Sequence, residues 1–178
     1  MLYDFFAVLY LAIPAFVANM IPIVTAKLNI FPSIAKPIDA NKTWRGHAIL
    51  GKNKTWRGLF SGIIIGAIIA LIQFYLPFFD SVKMIDVPTT LLFGAAAGFG
   101  ALFGDAIASI IKRQLDIPSG RPFIPLDQID YILGFILCTI PFVTWTFWDI
   151  IFLLGFALIA NPATNATAYL LGVKNTPW

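Results

Sequence analysis

Five apolar stretches govern what this 178-residue chain can become. They cover about 2–25, 59–79, 89–111, 131–148 and 150–173, each near or above the roughly 18–20 residues that a helix needs to cross a bilayer. The fourth and fifth are separated only by Asp149, so their boundary is the least defined. One continuous helix through both is excluded because Pro141 and Pro162 would kink it. A chain that is 59% hydrophobic and only 12% charged, with mean hydropathy +0.84, lies far from the soluble-domain norm. The expectation is one all-α integral membrane domain, residues 1–178, with five transmembrane helices.

Orientation follows from the cations. The segment 26–58 holds Lys27, Lys36, Lys42, Arg45, Lys52, Lys54 and Arg57. Segment 112–130 holds Lys112, Arg113 and Arg121, and the C-terminal tail adds Lys174. Only Lys83 lies on the other side, so the twelve Lys and Arg residues divide 11 to 1. The positive-inside rule then predicts an N-out, C-in protein of the cell membrane, with 26–58 and 112–130 as cytoplasmic loops. Met1–Thr25 carries Asp4 but no basic n-region before its apolar run, unlike a cleaved signal peptide. Net charge of +3 reflects this asymmetry, and no nucleic-acid fold signature accompanies it. The single cysteine, Cys138, permits neither an internal disulfide nor a cysteine metal site.

The long basic loop contains Pro32, Pro37 and several glycines, which predicts irregular chain with at most short helices. Within it Asn-Lys-Thr-Trp-Arg-Gly occurs twice, at Asn41–Gly46 and Asn53–Gly58, and the second copy abuts the second span. Trp44 and Trp56 suit interfacial anchoring or stacking on a base. Gly46–Asn53 imitates a phosphate-binding loop, but Asn53 stands where Ser or Thr is required and no strand precedes it. His47, the lone histidine, reads as a loop residue. In the third span Gly94, Gly98, Gly100 and Gly104, with their neighbouring alanines, predict close packing at the centre of the bundle. Asn19, Asn161 and Asn165 read as polar contacts inside it.

Chemistry concentrates in Phe103–Asp130. Asp105, Ser109 and Lys112 recur at i, i+4 and i+7, on one face of the third helix. Ionised groups at a membrane boundary cost free energy and need a partner or a task. Asp127 and Asp130, i and i+3 at the start of the fourth helix, point to one side. Helix capping explains them individually. Together with Asp105 they form a set of hard oxygen ligands suited to Mg²⁺. Lys112, Arg113, Arg121, Lys54 and Arg57 surround that set. Acids holding a divalent ion amid cations suit phosphoryl chemistry on a triphosphate.

These residues, Gly104-Asp105, Ser109-Ile-Ile-Lys112-Arg113, Pro125-Leu-Asp127-Gln-Ile-Asp130 and Asn53–Gly58, resemble the CDP-lipid synthases, the integral-membrane phosphatidate cytidylyltransferases. The short five-span form looks most like their archaeal branch, the CDP-archaeol synthases. The resemblance implies condensation of CTP with a lipid phosphate, an unsaturated archaeal diether glycerol phosphate in that branch, to CDP-lipid and pyrophosphate. It implies metal binding by Asp105, Asp127 and Asp130, and catalysis by these three with Lys112 and Arg113. It further implies contacts to CTP or lipid phosphate from Asn53, Lys54, Thr55, Arg57, Ser109, Lys112, Arg113 and Arg121. An active site on the cytoplasmic side and a homodimer are family expectations. Gln128 replaces the Arg of the bacterial and eukaryotic pattern, and Phe123-Ile-Pro125 replaces His-Gly-Gly. Both departures favour the archaeal branch. The alternative from another class is a small ion- or proton-coupled transporter, in which Asp105 would line a path. It predicts charge reaching the bilayer centre or both faces, whereas charge here gathers at the edge expected to be cytoplasmic.

Overall fold

The structure, a computed structural model, describes residues 5–76, 78–84, 86–118 and 121–172. The expected span ends at 2–4 and 173, with Asp4 and Lys174, lie outside the described residues. Five helices make up the body: α1 (Phe5–Lys27), α2 (Trp56–Tyr75), α3 (Val87–Gln114), α4 (Leu126–Thr139) and α5 (Phe147–Leu170). Four of them, α1, α2, α3 and α5, are long and apolar enough to cross a membrane.

Helix α4 departs from the expected fourth span. It has 14 residues, roughly 21 Å at 1.5 Å per residue, against about 30 Å of hydrocarbon. It starts before 131 because Asp127, Gln128 and Asp130 are helical although polar, a feature that a hydropathy window excludes. It stops at Thr139, whose carbonyl accepts from Phe142 N (2.9 Å) and Val143 N (3.0 Å) ahead of a tight turn at Pro141. Asp149 does not separate two spans; it lies in the first turn of α5. Its carboxylate accepts from Thr146 N at 3.0 Å and the Thr146 hydroxyl caps Asp149 N, a reciprocal capping box.

The basic loop also holds more order than its composition suggests. Strands β1 (Thr43–Trp44) and β2 (His47–Ala48) form an antiparallel hairpin. Arg45 (φ 54°) and Gly46 (φ 83°) turn it, and positive φ at both positions matches the twist of the flanking strands. The second copy of the hexapeptide folds differently. There Thr55 caps α2, its hydroxyl accepting from Gly58 N at 3.2 Å. The downstream sequence decides between the two forms: Gly58 runs into a long apolar helix, Gly46 into His47-Ala48. Lys36 and Ile38 hold the second copy in place through Trp56 N→Lys36 O (3.0 Å) and Ile38 N→Lys54 O (2.9 Å).

Helix α3 is the packing centre, lying against α2 on one side and α4 on the other. Small residues make this possible, as their spacing predicts. The tightest approach is to α4, where a methyl at Gly104 would overlap the Asp130 carbonyl oxygen and one at Gly134 that of Gly100. Phe135, Ile132, Leu153 and Val8 fill the adjoining core. Gly104→Ala is therefore expected to force α3 and α4 apart and to cost about 1–3 kcal/mol. Equilibrium unfolding in detergent measures this, and an unchanged midpoint contradicts the close approach.

Candidate active site

Hydrogen bonds and ion pairs bring the ends of all five helices together at one end of the bundle. Lys27, closing α1, donates to the carbonyl of Gly172 beyond α5. Lys54, just before α2, pairs with Asp105 of α3, and Lys112 of α3 pairs with Asp127 of α4 at 2.6 Å. Among the described residues, every Lys and Arg except Lys83 belongs to this end or to the loops beside it.

The three aspartates are neighbours because α3 and α4 touch at Gly104 and Asp130. Asp105 follows Gly104 directly and meets the Lys54 ammonium, not that of Lys112. Asp127 accepts from Lys112 Nζ and, at 2.8 Å, from Phe123 N. The Lys112 side chain is only 11% exposed and that of Asp127 30%. Removing one partner would therefore leave a charge stranded in a poorly solvated place. Asp130 is more deeply buried, 6% exposed, and accepts from Tyr131 N at 2.6 Å. It stands in the field of Asp105, with Lys54 opposing and Asp127 adding to that field. Among the described residues its carboxylate pairs with no Lys or Arg.

No group of three Asp, Glu, His or Cys side chains among the described residues converges as a metal cage. Asp105 and Asp127 are instead turned onto lysines. Hard carboxylate oxygens are nevertheless the donor type that a divalent ion such as Mg²⁺ takes. Three hard carboxylates come from two touching helices, and the most buried of them has no counter-cation in contact.

The other expected site residues divide into those near the acids and those apart. Ser109 is buried on α3, one turn from both Asp105 and Lys112. Arg57 is buried at 8% exposure; it reaches the Ile30 carbonyl at 3.3 Å, and its Nε has no partner. A buried guanidinium with a spare donor is matched by phosphate oxygens. Thr55 serves as the α2 cap. Arg113 donates to the Ile117 carbonyl and so closes the end of α3. Gly51 of the basic loop lies over it, 3.5 Å from its Nε to a Cβ built there. Arg121 and Asn53 are exposed.

Two organising residues escape a reading by composition. His47 Nδ1 meets Asp116 Oδ1 at 2.8 Å and ties the hairpin to the end of α3. Asp39 accepts from Asn41 N (2.9 Å), Leu50 N (2.9 Å) and Gly51 N (3.2 Å), gathering the hairpin around one carboxylate. Asp39 followed two residues later by Asn41 is a local turn signal that could have located it.

The family model for CarS-like CDP-archaeol synthase matches residues 1–178. A CDP-archaeol synthase of Thermococcus gammatolerans is 35% identical over 176 residues, covering 97% of this chain and 96% of that protein. That of Methanocaldococcus jannaschii is 34% identical, covering 97% of each. That of Methanococcus aeolicus is 37% identical over 93% of this chain and 92% of its own. A solved structure of an intramembrane enzyme for archaeal membrane lipids biosynthesis superposes with a TM-score of 0.63. It is 29% identical, covering 84% of this chain and 91% of that one.

The loop makes a pH prediction. Burial pushes the Asp39 carboxyl up, but the backbone N–H bonds from Leu50, Gly51 and Asn41 outweigh it and hold it below the usual carboxylate value. A depressed folded-state pKa gives stability that is present above the unfolded value and lost as pH falls through the folded one. Amide protection at Asn41, Leu50 and Gly51 is therefore expected at neutral pH and lost in acid. Asp39→Ala should lose it at every pH. Protection that persists in the Asp39→Ala protein would contradict the role of that carboxylate.

Proposed function

We propose a reaction from one premise: this chain belongs to the CarS-like CDP-archaeol synthase family, and is an enzyme of that type in a membrane. It condenses CTP with an unsaturated archaeal diether glycerol phosphate at the cytoplasmic face, forming CDP-lipid and pyrophosphate. The observation that carries this reading is the arrangement of Asp105, Asp127 and Asp130 across α3 and α4, with Lys54 and Lys112 in contact with two of them. A transporter finds no support in the family or in the distribution of charge.

In the reaction, an oxygen of the lipid phosphate attacks the α-phosphorus of CTP. A new phosphorus–oxygen bond forms, the bond to the bridging β-oxygen breaks, and pyrophosphate leaves with that electron pair. A phosphate monoester is already a nucleophile at neutral pH, so no strong general base is required. This agrees with a site whose only histidine, His47, is occupied with Asp116. Asp105, Asp127 and Asp130 would hold Mg²⁺, which supplies charge neutralisation on the triphosphate when bound. Lys54 and Lys112, released from their carboxylates, would then turn to phosphate oxygens, within reach of Ser109. Arg57 offers its unpaired Nε to a phosphate beside α1 and α2, and Arg113 and Arg121 would add positive charge from the end of α3 and the segment before α4. Positioning and charge stabilisation lower the barrier. The lipid chains stay in the bilayer against the apolar outer faces of α2 and α3, where Ile64, Ile68 and Phe103 are exposed.

The test uses purified protein, Mg²⁺, labelled CTP and diether glycerol phosphate. CDP-lipid is the expected product, and Asp127→Asn is expected to lower kcat by at least about 100-fold, as loss of a transition-state electrostatic contact does. Wild-type turnover by that variant would refute the role of Asp127. Diacyl phosphates and the other three nucleoside triphosphates, run in parallel, test the substrate assignment.

A further inference from the structure

We infer that Asn161 on α5 is a positioning residue for Asp127, and that Asn165 sets the direction in which the Asn161 amide points. The inference rests on the reading of Asp127 as a ligand of the divalent ion. Asn161 Nδ2 donates to the backbone carbonyl of Asp127 at 2.9 Å. Asn165 Nδ2 donates in turn to Asn161 Oδ1 at 2.7 Å. The two asparagines are i and i+4, one turn apart on the same face of α5.

The direction of this relay matters. An asparagine amide offers a donor at one end and an acceptor at the other. Because the Asn165 amide donates to Oδ1, the NH₂ of Asn161 is left to face Asp127. Flipping it would set donor against donor at Asn165 and oxygen against oxygen at Asp127. The pair is therefore a two-step clamp with one favoured sense.

Its target is the part of the site with least support from regular structure. Asp127 lies in the first turn of α4, where helices fray, and no regular element lies among the described residues from 115 to 125. Its side chain is already fixed at two points, by Lys112 Nζ and Phe123 N. Its main chain is held by the bond from Asp127 N to the Phe123 carbonyl at 3.0 Å, and Asn161 adds a contact to the Asp127 carbonyl from a different helix. Lys112 is expected to leave when the triphosphate binds, so the main-chain clamp would persist when the ion pair does not. Helix α5 is little buried and packs chiefly on α4. A polar side chain in such a helix, reaching one backbone carbonyl inside the site, does more than fill the bundle. Groups that orient metal ligands from behind typically change metal affinity by about 10–100-fold when removed.

The experiment measures protein-bound Mn²⁺ on the full-length protein in detergent, by electron paramagnetic resonance with a non-hydrolysable CTP analogue present at a fixed concentration, beside its thermal unfolding. Asn161→Ala is expected to weaken Mn²⁺ binding by about 10-fold and to raise the Mg²⁺ needed for half-maximal turnover in step. KM for the lipid phosphate and the unfolding midpoint should stay near wild type. Asn165→Ala, which spares the donor but frees the amide to flip, should give a smaller loss, and it decides the matter if Asn161→Ala does not fold. Wild-type Mn²⁺ binding by both asparagine variants, while Asp127→Asn loses it, overturns the clamp and leaves the metal reading standing. Wild-type binding by Asp127→Asn overturns both. Weakened binding that merely tracks a falling folded fraction also overturns the clamp.

Discussion

Helices α3 and α4 meet backbone to backbone at Gly104 and Asp130, and the site is built on that contact. A side chain at Gly104 would separate them, and the carboxylate of Asp105 would move away from those of Asp127 and Asp130. Membrane helices gain little from burying apolar surface against one another, since lipid is equally apolar. Close approach and interhelical hydrogen bonds must hold them instead. The same small residues that stabilise the bundle thus bring like charges together. The cost of that crowding is offset by Lys54 and Lys112, with Asp130 left outside either ion pair.

That residual imbalance connects structure to chemistry. Two acids hold ammonium groups, and the third, Asp130, lies buried with no Lys or Arg in contact among the described residues. A divalent ion with its nucleotide would exchange these pairings, giving carboxylates to the metal and lysines to phosphate oxygens. The surrounding loops then act as a frame. Asp39 gathers the hairpin, His47 ties it to α3, and the strand-like contact of Lys36 and Ile38 fixes Lys54.

Much of this is legible in the sequence because membrane segments announce themselves by length and polarity. The central role of α3 follows from its glycines, and Asp105, Asp127 and Asp130 stand out as acids beside apolar helices. What hydropathy misreads is where polarity and helix coexist: α4 begins at Leu126 although Asp127 and Asp130 interrupt its apolar run, and Asp149 is a capping residue inside α5. The hairpin is hidden for another reason. Its hexapeptide also starts α2, so the six residues alone cannot choose between the two forms and their C-terminal neighbours do. The partner of each cation is set by tertiary placement, which pairs Lys112 with Asp127 and leaves Asp105 to a lysine 51 residues earlier. Asn161 is visible as a polar residue in a span, but only the assembled bundle reveals that it reaches Asp127.

The most direct measurement is a structure of the protein with Mn²⁺ and a non-hydrolysable CTP analogue, the ion located by its anomalous scattering. The account predicts the ion bound by carboxylates from both α3 and α4, among Asp105, Asp127 and Asp130, with Lys54 and Lys112 moved onto phosphate oxygens. An ion seated elsewhere, with both lysines still on their aspartates, would contradict it.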